Sequence, residues 1–101
     1  IYYTVGERRP EGDVEKVAAR VTTFIVKDCA IDGDKPDVMV TPGDGLVDFP
    51  LVLAKLRAVG FDGPYYVECV GSGPDPQTIE CELTYTRGYI RGILGALPLI
   101  A

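Results

Sequence analysis

The 101 residues predict an α/β chain whose strands run parallel. Three observations support this: β-prone runs alternate with helical runs, the helices carry their own start and stop signals, and glycine and proline clusters separate the two kinds of segment. With 47% of residues in the hydrophobic set and 25% charged, the composition is ordinary for a globular chain and excludes a disordered or collagen-like one.

Ile1–Val5 is apolar and β-prone up to Gly6, so it reads as the tail of a strand. After the loop Glu7–Gly12, Asp13 is placed to cap a short helix with Val14, Val17 and Ala18 on one face, ending at Arg20. The run VTTFIV, Val21–Val26, is rich in β-branched and aromatic residues and turns polar at Lys27 and Asp28, as expected of a strand reaching its edge. Ile31–Gly45 holds so many turn formers that it reads as one long loop, long enough to cover a site. Asp48 caps a helix over Phe49–Val59, with Pro50 tolerated in its first turn and Gly60 placed to end it; Val52, Leu53, Leu56 and Val59 make its apolar stripe. Asp62 and Gly63 turn the chain into a second strand, Tyr65–Val70, and the apolar residues flanking Glu68 imply that this carboxylate is buried. Asp75 and Pro76 open a last helix running to about Leu94, with Ile79, Leu83, Ile90 and Leu94 on one face and Gly95 as its stop. Gly88 and Gly92 each weaken that helix by roughly 1 kcal/mol against alanine, so it depends on packing, and the apolar Leu97–Ala101 frays or docks. This order is the grammar of βαβ units; length alone leaves a closed barrel and an open sheet both open.

A net charge of −5 argues against a general nucleic-acid binder, since such binding rests on Lys and Arg displacing counterions, and the basic residues here are scattered. Small-molecule or protein partners are expected. Three cysteines without CxxC spacing suggest neither a disulfide framework nor a structural zinc site, and they fit a reducing, cytoplasmic compartment. No signal-peptide pattern or membrane-spanning stretch is present, so the chain is expected to be soluble. The start at Ile1, with Met39 the only methionine, suggests a processed or truncated product.

Taken together, VTTFIVKD (Val21–Asp28), PGDGLVDFPLVLAKL (Pro42–Leu56) and GFDGPYYVE (Gly60–Glu68) resemble the sugar phosphate isomerase/epimerase family, the xylose-isomerase-like TIM barrels. The resemblance spans about Gly6 to Leu94. It implies that residues 1–101 are the last βα units of a (β/α)8 barrel, incomplete in this chain, so that missing N-terminal barrel units or an oligomeric partner would be needed to complete the fold. It further implies isomerisation, epimerisation or dehydration of a small sugar or polyol, assisted by a divalent metal (Mn, Mg, Co or Zn) at the barrel mouth, with a pair of glutamates moving a proton between neighbouring carbons.

On that resemblance Glu68 is the metal-binding and catalytic glutamate, while Lys27 and Asp28 are substrate-binding residues at the mouth. The family's pattern has His, apolar, Lys, Asp where this chain has Ile25, Val26, Lys27 and Asp28; a hydrocarbon side chain supplies no lone pair, and the chain contains no histidine. The family's other carboxylates would lie upstream of Ile1. Cys29, in step with Ile25 and Lys27 on the strand's alternation, could approach the vacated ligand position, although an inert buried thiol is the plainer reading.

Each reading has a plain alternative, and for Glu68 it is a solvated carboxylate at a strand end. Lys27 and Asp28 can be a surface ion pair. Pro42–Gly45 can close over a sugar with its amides near the substrate, or be a turn before the capped helix; Arg8 and Arg9 can bind a phosphate, or be solvated. Two functions therefore compete: a metal-dependent isomerase/epimerase-like enzyme, and a noncatalytic binding or scaffold domain left after loss of the histidine. Apurinic endonucleases, which share the barrel architecture, are disfavoured by the absence of histidine and by the acidic balance.

Overall fold

A computed structural model describes residues 9–68 and 75–98. The expected strand over Ile1–Val5, Arg8, Cys69 and the end of the second strand beyond Glu68 lie outside the described residues. The chain is mixed α/β, and its first helix, α1, is the short Pro10–Asp13. Two 3-10 turns follow, Val14–Lys16 and Ala18–Arg20. The expected Asp13-capped helix is therefore corrected. Proline at position 10, with its fixed φ, starts the turn earlier, and the Asp13 carboxylate accepts from Lys16 Nζ at 2.6 Å and caps no amide.

Strand β1, Phe24–Val26, pairs in parallel with β4, Tyr65–Val67, in the register Phe24↔Tyr65, Ile25↔Tyr66, Val26↔Val67. The Phe24 N–H reaches Pro64 O and the Glu68 N–H reaches Val26 O, both at 3.0 Å, which closes the ladder at each end. The strand expected over Val21–Val26 is shorter because the Val21 N–H is already taken by Ala18 O in the preceding turn.

The stretch expected to be one long loop contains a β-hairpin, β2 (Asp28–Asp32) against β3 (Lys35–Val40). Gly33 and Asp34 form its two-residue turn, with Gly33 at φ +63°, the left-handed conformation such turns require. Counting turn formers missed it because the Gly-Asp pair is itself a hairpin signal, and the charged residues flanking the turn, Asp32, Lys35 and Asp37, face solvent.

Helix α2, Phe49–Ala58, forms as expected. Asp48 accepts the Leu51 N–H at 3.0 Å, and Gly60, at φ +89°, ends the helix in a Schellman motif in which the Phe61 N–H bonds Leu56 O and the Gly60 N–H bonds Arg57 O. Phe49, Val52, Leu53 and Leu56 are buried, whereas Val59 is 52% exposed and leaves the expected stripe, because it is the C-cap residue after the last helical turn.

Helix α3, Pro76–Ala96, begins at the Asp75 cap and runs through Gly95. Thr86 and Ile90 are its buried residues, with Tyr89, Ile93 and Leu94 packed against the core. Leu83 is exposed, so the expected core face through Ile79 and Leu83 is corrected: α3 meets the core only in its second half. Leu97 docks on that core, and Pro98 O accepts from Arg57 Nη1 at 3.2 Å.

The core is one cluster, Ala18, Val26, Phe49, Val52, Leu53, Leu56, Phe61 and Ile90, between α2, α3 and one face of the β1–β4 pair. Strand alternation sends Val26 into it and leaves Ile25 and Tyr66 on the other face, 46% and 54% exposed. Among the described residues, no helix is long and apolar enough to cross a membrane.

Candidate functional site

Lys27 and Glu68 immediately follow the paired ends of β1 and β4. Each lies two residues beyond an exposed member of the bare face, Ile25 and Tyr66 respectively, so period-two alternation puts both on that face. Lys27 Nζ lies 3.9 Å from Glu68 Oε1, and the two side chains are 43% and 54% exposed. The burial expected of Glu68 is thus corrected: its side chain is more than half exposed. The parallel register brings together two charges 41 positions apart in sequence.

Asp28 points the other way. It is 1% exposed, and its carboxylate accepts four backbone N–H groups, Oδ1 from Cys29 (2.8 Å) and Val47 (3.0 Å), Oδ2 from Gly43 and Gly45 (both 3.0 Å). Both oxygens are saturated away from solvent, which gives this side chain an internal role in place of the expected substrate contact. The same bonds correct the expectation that the Pro42–Gly45 amides serve a sugar, since the Gly43 and Gly45 amides are spent on Asp28. A surface Lys27–Asp28 ion pair is excluded by Asp28's burial.

Beside this clasp, burial and the neighbouring Asp28 charge push the Cys29 thiol up, and burial followed by the same charge does so for the Tyr89 hydroxyl. The Tyr89 ring lies over Gly43, where an added Cβ would sit 3.1 Å from it. Thr41 Oγ1 donates to Glu82 Oε2, tying the end of the hairpin to α3.

An open groove of about 1070 Å³ runs along β1, bounded by Val14, Val17, Phe24, Ile25, Lys27 and the hairpin's Val38. Its walls are largely apolar, and Lys27 is the cationic group at its strand-mouth end. Cys29 and Ile25 both line the groove, but Cys29 belongs to β2 and Ile25 to β1, so the single-strand alternation expected to relate them is interrupted at Lys27. Arg9 is described and lies outside this groove lining, and Arg8 lies outside the described residues.

The donor set for a divalent metal is a separate matter. Ile25 occupies the expected histidine position with a side chain that has no donor atom, and among the described residues no three Cys, Asp or Glu side chains come together to hold a metal ion. Among the described residues the Asp28 carboxylate at the strand exit is spent on backbone amides and Glu68 is left as an exposed carboxylate there, so these residues do not fit a metal centre by themselves.

The Asp28 clasp is the feature that sequence reasoning missed. Its signal was present: an aspartate leaving an apolar strand, followed by Pro-Gly-Asp-Gly, whose closely spaced glycine amides suit an anion that the chain itself supplies. No family model, curated protein or solved structure matches the chain.

Proposed function

We propose that this chain supplies the strand-mouth portion of a sugar phosphate isomerase/epimerase-like barrel, and that Lys27 and Glu68 face a small sugar or polyol there. The observation that carries this reading is the in-register exit of β1 and β4, which sets a cation and a carboxylate side by side beyond the C-terminal ends of parallel strands. That is where ligands bind in barrels and open α/β sheets alike. In this reading Lys27 donates to hydroxyl or phosphate oxygens, and Glu68 accepts a hydroxyl proton or removes one from the carbon beside a carbonyl. The bare face carrying Ile25 and Tyr66 is the interior of the barrel, completed by N-terminal barrel units or by an oligomeric partner. A divalent metal would need donors beyond the described residues. The free thiols of Cys29 and Cys81 suit a cytoplasmic setting.

A second reading, a noncatalytic binding or scaffold domain, is favoured by one observation: Ile25 replaces the histidine that the resemblance expects. One experiment separates the two. The protein with its barrel complete is incubated in D2O with small aldose and ketose phosphates and divalent metal, and deuterium incorporation beside the carbonyl is followed by NMR. The enzyme reading expects incorporation that Glu68→Gln abolishes. Saturable binding without incorporation selects the scaffold reading, and absence of binding by any of these compounds refutes both.

A further inference from the structure

We propose that the 43–48 segment is a fixed wall of the strand mouth, locked by Asp28 as a built-in anion, and that it lends no backbone amide to a ligand. The observation behind this is that six successive N–H groups are all spoken for. Gly43, Gly45 and Val47 donate to the Asp28 carboxylate, all at 3.0 Å. Asp44 donates to Thr41 O at 2.9 Å, Leu46 to Cys29 O at 2.8 Å, and Asp48 to Glu11 Oε1 at 2.8 Å. A glycine-rich loop that cradles a phosphate or closes over a sugar must keep amides unpaired for the ligand. This one has none to give.

The chain around the clasp fits its closure. Gly43 sits at φ +103° under the Tyr89 ring, and a Cβ on Gly45 would lie 2.3 Å from Cys29 O and 2.4 Å from Asp28 Oδ1. Pro42, the residue before Gly43, is fully buried. Val47 lies one residue before the α2 cap, Asp48, so the clasp joins the exit of β1 to the start of the core helix. Asp28 is accordingly a positioning residue: it fixes the backbone just after Lys27 and forms the wall behind it. Selectivity at the mouth then falls to side chains, Lys27 and Glu68 first. The inference deepens the proposed sugar site, but the clasp stands whether or not that site binds a sugar.

The test is native-state hydrogen exchange, read by NMR on the complete protein. The amides of Gly43, Gly45 and Val47 are expected to exchange within about tenfold of the buried Val52 and Leu53 amides, despite lying in a loop. Exchange at loop rates, orders of magnitude faster than α2, overturns the proposal. Asp28→Ala is expected to lose this protection selectively, and formate, compared with sodium chloride at equal ionic strength, to restore part of it by occupying the vacated position. Protection that persists without the carboxylate also overturns the proposal; if the variant fails to fold, the wild-type exchange pattern decides. Inorganic phosphate added to the wild type is expected to leave the 43–48 amide resonances in place, and displacement of them by phosphate overturns the fixed wall. The same titration read at Lys27 and Glu68 tests the mouth separately, so a silent mouth counts against the sugar reading while leaving the clasp intact.

Discussion

Replacing Gly45 by alanine adds one methyl group at the tightest point of the chain. The new Cβ would meet Cys29 O at 2.3 Å, Asp28 Oδ1 at 2.4 Å and Asp28 Cγ at 2.6 Å, where real Cβ atoms essentially never approach within 3.0 Å. Gly45 is not in the left-handed region, so the backbone conformation itself does not penalise alanine. The penalty comes from displacement: the carboxylate and the loop must separate until the Gly43 and Gly45 bonds to Oδ2, now 3.0 Å, are lost or badly stretched. Hydrogen bonds to a charged group contribute about 1.5–3 kcal/mol each, and losing two gives roughly 3–6 kcal/mol before relaxation. Alanine recovers about 0.4–1 kcal/mol by restricting the unfolded chain. The expected net destabilisation is therefore about 2–5 kcal/mol, measured as a fall in the urea midpoint at unchanged slope. Gly88→Ala is the control: nothing lies within 4 Å of its added Cβ in the exposed interior of α3, and it is expected to stabilise by about 0.5–1 kcal/mol. A Gly45→Ala protein within about 0.5 kcal/mol of wild type, the ordinary range for surface substitutions, would refute the view that the loop is docked on Asp28.

Lys27→Ala is expected to move stability by no more than about 1 kcal/mol, because its partner lies 3.9 Å away and both groups are exposed; a much larger loss in thermal melts would mean that the pair is structural and would weaken the site reading. The Asp75 carboxyl is held below its ordinary value by the Thr78 backbone N–H and hydroxyl, so folding favours its charged form. The stabilisation it gives α3 is fully present above the ordinary carboxylate range and is lost as pH falls through the lowered value, a loss that acid titration of the helical circular-dichroism signal should show in wild type and not in Asp75→Ala. Cys81 is exposed, while Cys29 is half-buried with its thiol pushed up by burial and by Asp28; peptide mapping after brief iodoacetamide treatment should find Cys81 alkylated first, and the reverse order would contradict the described environment of Cys29.

Elements whose signals are local could be read from the residues alone. Asp48, Pro50 and Gly60 bracket α2 because a side-chain oxygen, a missing N–H and a left-handed residue each answer a need of the helix end at that spot, and Asp75 with Pro76 starts α3 in the same way. The alternation of strand and helix likewise announced a parallel βαβ unit. Tertiary structure decided the rest. Which half of α3 packs depends on where the core ends, a fact no periodicity along Ile79–Leu94 contains. Glu68 looked buried from its neighbours, yet burial of a strand residue depends on what lies over its face, and here Ile25 and Tyr66 on that face are about half exposed. Lys27 and Asp28, adjacent in sequence and read together as mouth residues, are sent to opposite sides by the alternation of the backbone. One meets Glu68 at the strand mouth and the other is sealed beneath four loop amides, because only the folded chain brings Gly43, Gly45 and Val47 back to the end of β1.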